Sequence, residues 1–200
     1  MKKLLTILML FLSTTASAVV TVSPVHLNIL EGQRSTSLTI KNDSDQQKTV
    51  EVLVKNWVGQ NADGTDQLAD TSAVITSRPI LIVPAHESTT IRLIIKSRSE
   101  RAEDAYRVFV NDITPPQKSG KVSLTVNSVL PFFILNSKSA GQLELEKGRV
   151  KNVGNRHVRI ANYTDKNGKQ VDRLHYLFPN QSVKLPVDSI DQITWSDDVF

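Results

Sequence analysis

The sequence predicts an all-β protein built as two sandwiches, and three observations carry that expectation. Val, Ile and Thr are plentiful while stretches of helical period are few, a balance that favours strand. Apolar residues recur at period two, with Val50, Val52 and Val54 on one face of one run and Ile91, Leu93 and Ile95 on one face of another; such stripes mark the inward face of a half-buried strand. Polar or Gly/Pro-bearing breaks at Glu31-Gly32, Asn42 to Gln46, Asn61 to Asp66 and Pro84-Ala85-His86 separate the runs. Their spacing is that of an antiparallel sandwich.

Taken in order, Met1 to Ala18 combine Lys2 and Lys3, an apolar run from Leu4 to Leu12 and the small-residue ending Ala16-Ser17-Ala18. This is the pattern of a secretory signal peptide cleaved after Ala18. The apolar run is too short for a spanning helix, so no stable membrane insertion is expected. Strands are then predicted over Val19 to Ile29, Ser37 to Lys41, Lys48 to Trp57, Pro79 to Val83, Thr89 to Lys96 and Ala105 to Asp112. From Tyr106 to Phe133 two alternating strands flank a loop holding Pro115, Pro116 and Gly120. Val122, Leu124 and Val126 share one face of the second strand, and Pro131 is expected to limit it and to place it at a sheet edge. The small and polar run NSKSAGQ, Asn136 to Gln142, reads as a linker. It divides residues 19–136 from a shorter β domain, 137–200. Strands in the latter are predicted over Arg149 to Val153, His157 to Ala161, Asp172 to Phe178, Ser182 to Leu185 and Ile190 to Trp195.

Several chemistries find no support. The chain has no cysteine, so apolar burial and backbone ladders must supply its stability. Its formal charge of +4 falls to about +2 without Lys2 and Lys3, and no basic stripe interleaves with aromatics, which argues against nucleic acid as a partner. HExxH, GxSxG and phosphate-binding glycine loops are missing, so no catalytic residues and no cofactor are assigned. His26, His86, His157 and His175 are scattered, and no metal site is assigned to them. The stretch NADGTDQLAD places its glycine wrongly for a calcium loop and reads as a solvated hairpin.

The order and spacing of SPVHLNILEGQRSTSLTIKN, NWVGQNADGTDQLADTSAVITSRP, PAHESTTIRL, YRVFVNDITPP, LPFFI, NVGNRHVRI and YLFPNQSVKLPV resemble the chaperones of chaperone–usher pili, specifically the archaic, Csu-like branch. The resemblance covers essentially all of the chain after the leader. It implies two immunoglobulin-like domains in an L or boomerang arrangement, a periplasmic location, no enzymatic activity, and two partners: pilus or fimbrial subunits and an outer-membrane usher. It also implies donor-strand complementation, in which the last strand of the first domain fills the gap in a client that lacks a strand of its own. Val122, Leu124 and Val126 then enter the client's groove, while Lys118 and Lys121 keep the free edge from pairing with itself.

Other branches of the family hold the client's terminal carboxylate with a basic residue on the first strand and another late in the donor strand. Here His26 stands at the first place and Pro131 at or beside the second, so that pair is not carried over. Arg107, a lone cation in an apolar strand, replaces it as the leading anchor candidate, with His26 assisting and Arg92 in the run IRL as a further candidate. The plain alternative for Arg107 is an ion pair with Glu103 or Asp104. At the level of function the alternatives are a secreted pilin-like sandwich and a carbohydrate- or metal-binding module. A pilin should carry a donor extension before a single domain, and a sugar module should cluster exposed aromatics; Trp57 and Trp195 lie far apart in the sequence.

Overall fold

Strands follow one another with short turns through a computed structural model that describes residues 20–115, 127–136 and 138–197. The first ten are β1 (Val20–Ser23), β2 (Leu27–Ile29), β3 (Ser35–Asn42), β4 (Lys48–Gln60), β5 (Asp66–Ala69), β6 (Val74–Thr76), β7 (Ile80–Val83), β8 (Ser88–Ile95), β9 (Glu103–Asp112) and β10 (Asn127–Leu135). They form a four-stranded sheet ordered β1-β3-β8-β6 and a six-stranded sheet ordered β2-β10-β9-β4-β5, with β7 also on β4. The remaining strands are β11 (Leu143–Glu146), β12 (Arg149–Asn152), β13 (Val158–Thr164), β14 (Gln170–Leu177), β15 (Ser182–Val183) and β16 (Ile193–Ser196). They form two three-stranded sheets, β11-β12-β15 and β14-β13-β16. The architecture is thus all-β, two immunoglobulin-like sandwiches in series.

Each sandwich buries the stripe that its alternation prescribes. Val50 and Val52 of β4, Ile91, Leu93 and Ile95 of β8, and Val108 and Val110 of β9 meet in one core, with Val54 packed against it. Val150, Val158, Ile160, Leu177 and Ile193 anchor the other. The two cores are closed by the same device. Asn42 is fully buried at the end of β3, where its Nδ2 donates to the carbonyls of Gln46, Val83 and Pro84. Asn152, equally buried at the end of β12, donates to the carbonyls of Arg156 and Leu177. In each case a side-chain amide replaces the missing ladder at a strand end, where unpaired buried carbonyls are costly.

Five segments differ from the sequence expectation. The predicted strand Val19 to Ile29 is two strands: β1 pairs β3 antiparallel, and after Pro24 the chain crosses to the other sheet, where β2 pairs β10 in parallel. Proline lacks the donor needed to carry a ladder onward, which suits the crossing point. Pro131 does not limit its strand, since β10 runs through it to Leu135. The short strands β5, β6 and β11 carry too few residues to show a period.

The NADGTDQLAD segment forms the hairpin joining β4 to β5. Gly64 turns there at φ 95°, a conformation that favours glycine, and its N–H donates to the Asn61 carbonyl at 2.9 Å. The Asp63 carboxylate accepts from the Thr65 N–H at 2.9 Å and from its hydroxyl at 2.7 Å, so its oxygens serve the turn itself. This hairpin reaches the second sandwich. Gln60 Oε1 accepts from the Tyr176 N–H at 2.8 Å, and Arg173 donates to the Ala62 carbonyl. At Gly59 a Cβ would lie 2.2 Å from the Gln181 side-chain nitrogen, so any larger residue there would push the Gln181 amide aside.

Candidate functional site

β10 has unequal flanks. On one side β9 accompanies it from Asn127, opposite Asn111, to Leu135, opposite Glu103. On the other, β2 covers only Phe132, Phe133 and Ile134. Among the described residues no strand lies on that second flank from Asn127 to Pro131. A residue without an N–H is tolerated only where the ladder requires no donor, and the open flank at Pro131 meets that condition.

The two faces of β10 also lead to different places. Leu130, Phe132 and Ile134 enter the core of the first sandwich. Phe133 and Leu135 point the other way and join Trp57, Ala105, Tyr176 and Phe178 in a separate cluster that unites the two sandwiches. On that same outer face Val129 and Leu53 stand opposite Phe109 in neighbouring strands, and both are exposed, at 45% and 37%. The outer face is therefore roofed by the second sandwich at the Phe133 end and bare at the Val129 end.

Arg107 sits at the boundary between the two halves. Register places it beside Pro131 on one strand and Lys55 on the other. Its guanidinium lies 3.5 Å from the centre of the Trp57 ring and 5.4 Å from that of Tyr176, close enough for cation–π attraction. Nε donates to Asp66 Oδ2 at 2.7 Å and Nη2 to Asp66 Oδ1 at 3.1 Å, a forked pair. Asp66 Oδ1 is held in turn by Gln60 Nε2 at 3.0 Å. The ion pair foreseen with Glu103 or Asp104 is not the one formed. Glu103 instead binds His157, with Oε2 2.6 Å from Nδ1 and Oε1 accepting the His157 N–H at 3.1 Å, while Asp104 accepts from Ser99. The partner of Arg107 lies 41 residues away in sequence, beyond any local signal.

Positive groups gather around this spot. Burial lowers the pKa of His26, its hydrogen bond to Asn28 opposes the shift, and His157, Arg159 and Arg107 lower it further. Burial raises the Tyr176 hydroxyl, while Arg107 and Arg159 pull it down. The His26 ring is 5.6 Å from that of Phe133, which stacks on His157 at 3.7 Å. The structure thus brings His26 and Arg107 into one electrostatic neighbourhood. Arg92 is elsewhere, exposed on β8 in the four-stranded sheet.

Val122, Leu124, Val126, Lys118 and Lys121 lie outside the described residues. The chain before them is fastened at Asp112, whose carboxylate accepts from the Thr114 N–H at 2.9 Å and pairs with Lys48 at 3.0 Å. Burial alone would raise that carboxyl, but the Thr114 hydrogen bonds and Lys48 outweigh it and hold it below the ordinary value. Sequence reading missed Trp57, Phe133, Tyr176 and Asp66 as members of one site. Each belongs to a different strand, and none breaks its local pattern.

Comparison with known proteins places this geometry in a wider group. Residues 19–138 match the family model described as pili and flagellar-assembly chaperone, PapD N-terminal domain. A probable fimbrial chaperone, EcpB, of Escherichia coli is 23% identical over 216 residues, which cover 100% of this chain and 97% of that protein. A chain of the CsuC–CsuE chaperone–tip adhesion subunit pre-assembly complex of Acinetobacter baumannii superposes with a TM-score of 0.63 at 19% identity, covering 86% of this chain and 91% of the other. A chain of the Salmonella enterica SafA pilin–SafB chaperone complex gives a TM-score of 0.65 at 15% identity, with 86% of each chain covered.

Proposed function

We propose, from the premise that this chain belongs to the family of pili and flagellar-assembly chaperones, that it captures pilus subunits in the periplasm by lending them β10 and the residues before it, and passes them to an outer-membrane usher. Assembly of pili is the family's work; the manner of capture is our reading of this molecule. The observation that carries it is the flank of β10 that, among the described residues, is left without a strand from Asn127 to Pro131. A subunit short of one strand exposes an apolar groove and unpaired backbone groups, and an added strand covers both. In this reading residues 1–18 are the export leader, and the boundary between domains falls in Asn136 to Gln142.

Val122, Leu124 and Val126 occupy even positions, as do Leu130 and Phe132, which turn to the core. We read the three as the side chains that fill the client's groove, each contributing about 1.5–3 kcal/mol as an upper figure. Lys118 and Lys121 discourage self-pairing of the edge. Arg107 serves as the anchor for the client's terminal carboxylate, with His26 nearby; Arg92, on the other sheet, has no part in it. Leu124→Glu tests the assignment. The variant should fold as the parent does and lose the complex with a co-expressed subunit by roughly tenfold or more. An undiminished yield of complex would reject the donor role.

A further inference from the structure

The carboxylate that occupies Arg107 is the protein's own. We propose that Asp66 is a built-in stand-in for the client's chain end, and that capture proceeds by exchange of one carboxylate for another on a fixed guanidinium. This rests on the reading of Arg107 as the anchor and adds how that anchor is kept and released.

Two asymmetries support an exchange. Arg107 is held on β9, a strand paired on both sides, and lies over the Trp57 ring, with Tyr176 of the other sandwich 5.4 Å away. Asp66 begins β5, a four-residue edge strand whose other three residues are exposed. The cation is therefore fixed, while the anion sits on the element that is easier to displace. The forked geometry is also the one a terminal carboxylate would adopt, so either anion satisfies the same two donors. Side-chain exposure is 11% for Arg107 and 20% for Asp66, so the carboxylate is the more accessible member of the pair. An empty site with an unpaired, buried guanidinium would be costly, and Asp66 removes that cost until a client arrives. The exchange also discriminates, because a strand that fills the groove without presenting a chain end leaves Asp66 in place.

The test uses the mature full-length chain and a short synthetic peptide of alternating valine and threonine, ending either in a free carboxylate or in an amide. Binding is followed by the emission of Trp57, which lies against Arg107, with Trp195→Phe in every variant so that Trp57 alone reports. Asp66→Asn keeps the side-chain shape and removes the competing charge, so it should bind the acid peptide roughly tenfold more tightly than the parent does. Its affinity for the amide should be unchanged. Arg107→Gln should erase the difference between acid and amide in either background. Asp66→Ser provides a second variant should Asp66→Asn fold poorly. If Asp66→Asn binds the acid peptide no better than the parent while Arg107→Gln still abolishes the preference for acid, the stand-in role is wrong and the anchor survives. If parent and Asp66→Asn treat acid and amide alike, or bind neither, Arg107 is no carboxylate site and both readings fall.

Discussion

His175 is buried in β14, and its Nδ1 has no hydrogen-bond partner among the described residues. Burial, with Arg173 adding, lowers its pKa below 6.5. As pH falls below that value the unfolded chain takes up the proton first, so stability present above it is lost as pH drops toward the folded pKa. His26 shifts in the same direction and adds to the slope. Thermal midpoints measured from pH 7.5 down to about 5 should therefore fall, and His175→Leu should flatten the curve without removing the slope entirely. The Glu103–His157 pair makes a second expectation. Both side chains are almost fully buried, so Glu103→Ala leaves a ring nitrogen and an N–H without their acceptor and should cost about 3–5 kcal/mol in denaturant unfolding. Such pairings are the least legible feature of the sequence. Arg107 stands out as a lone cation in an apolar strand, yet Glu103 and Asp104 are its nearest acids in sequence, and the acid that binds it comes from a hairpin whose approach only the folded sheet determines.

β10 shows what a single element does with two faces. Its outer face is roofed at Phe133 and bare at Val129, four residues earlier, so loss of apolar surface should matter at the first and little at the second. Phe133→Ala should destabilise by about 3–5 kcal/mol, whereas Val129→Ser should stay within about 1 kcal/mol; urea midpoints of the two variants decide the matter. At this scale the alternation in the sequence was an effective guide. The stripes in β4 and β8 gave the core correctly, because an inward face must be apolar wherever one side of a sheet is buried. It failed where the cause is not periodic. The crossing after Pro24 depends on which sheet has a vacancy, and the passage of β10 through Pro131 depends on a flank that is open.

In the whole molecule the cluster of Trp57, Ala105, Phe133, Leu135, Tyr176 and Phe178 joins sandwiches whose own cores are separate. The second sandwich is small, and small cores gain much of their stability from neighbours. Trp57→Ala should cost about 3–5 kcal/mol and split a single calorimetric transition into two, the smaller sandwich melting first; one sharp transition in the variant would show that the cores are coupled by some other route. The interface between the sandwiches was not legible, since aromatic residues on separate strands carry no mark of their meeting. One last consequence comes from the mismatch between β2, three residues long, and β10, nine. Leu130 and Val129 turn to opposite environments, so any segment laid along the stretch that β2 leaves uncovered can shift only by an even count, in jumps of about 7 Å. A guest there would be held in notches, and its departure would be a sequence of clicks rather than a slide.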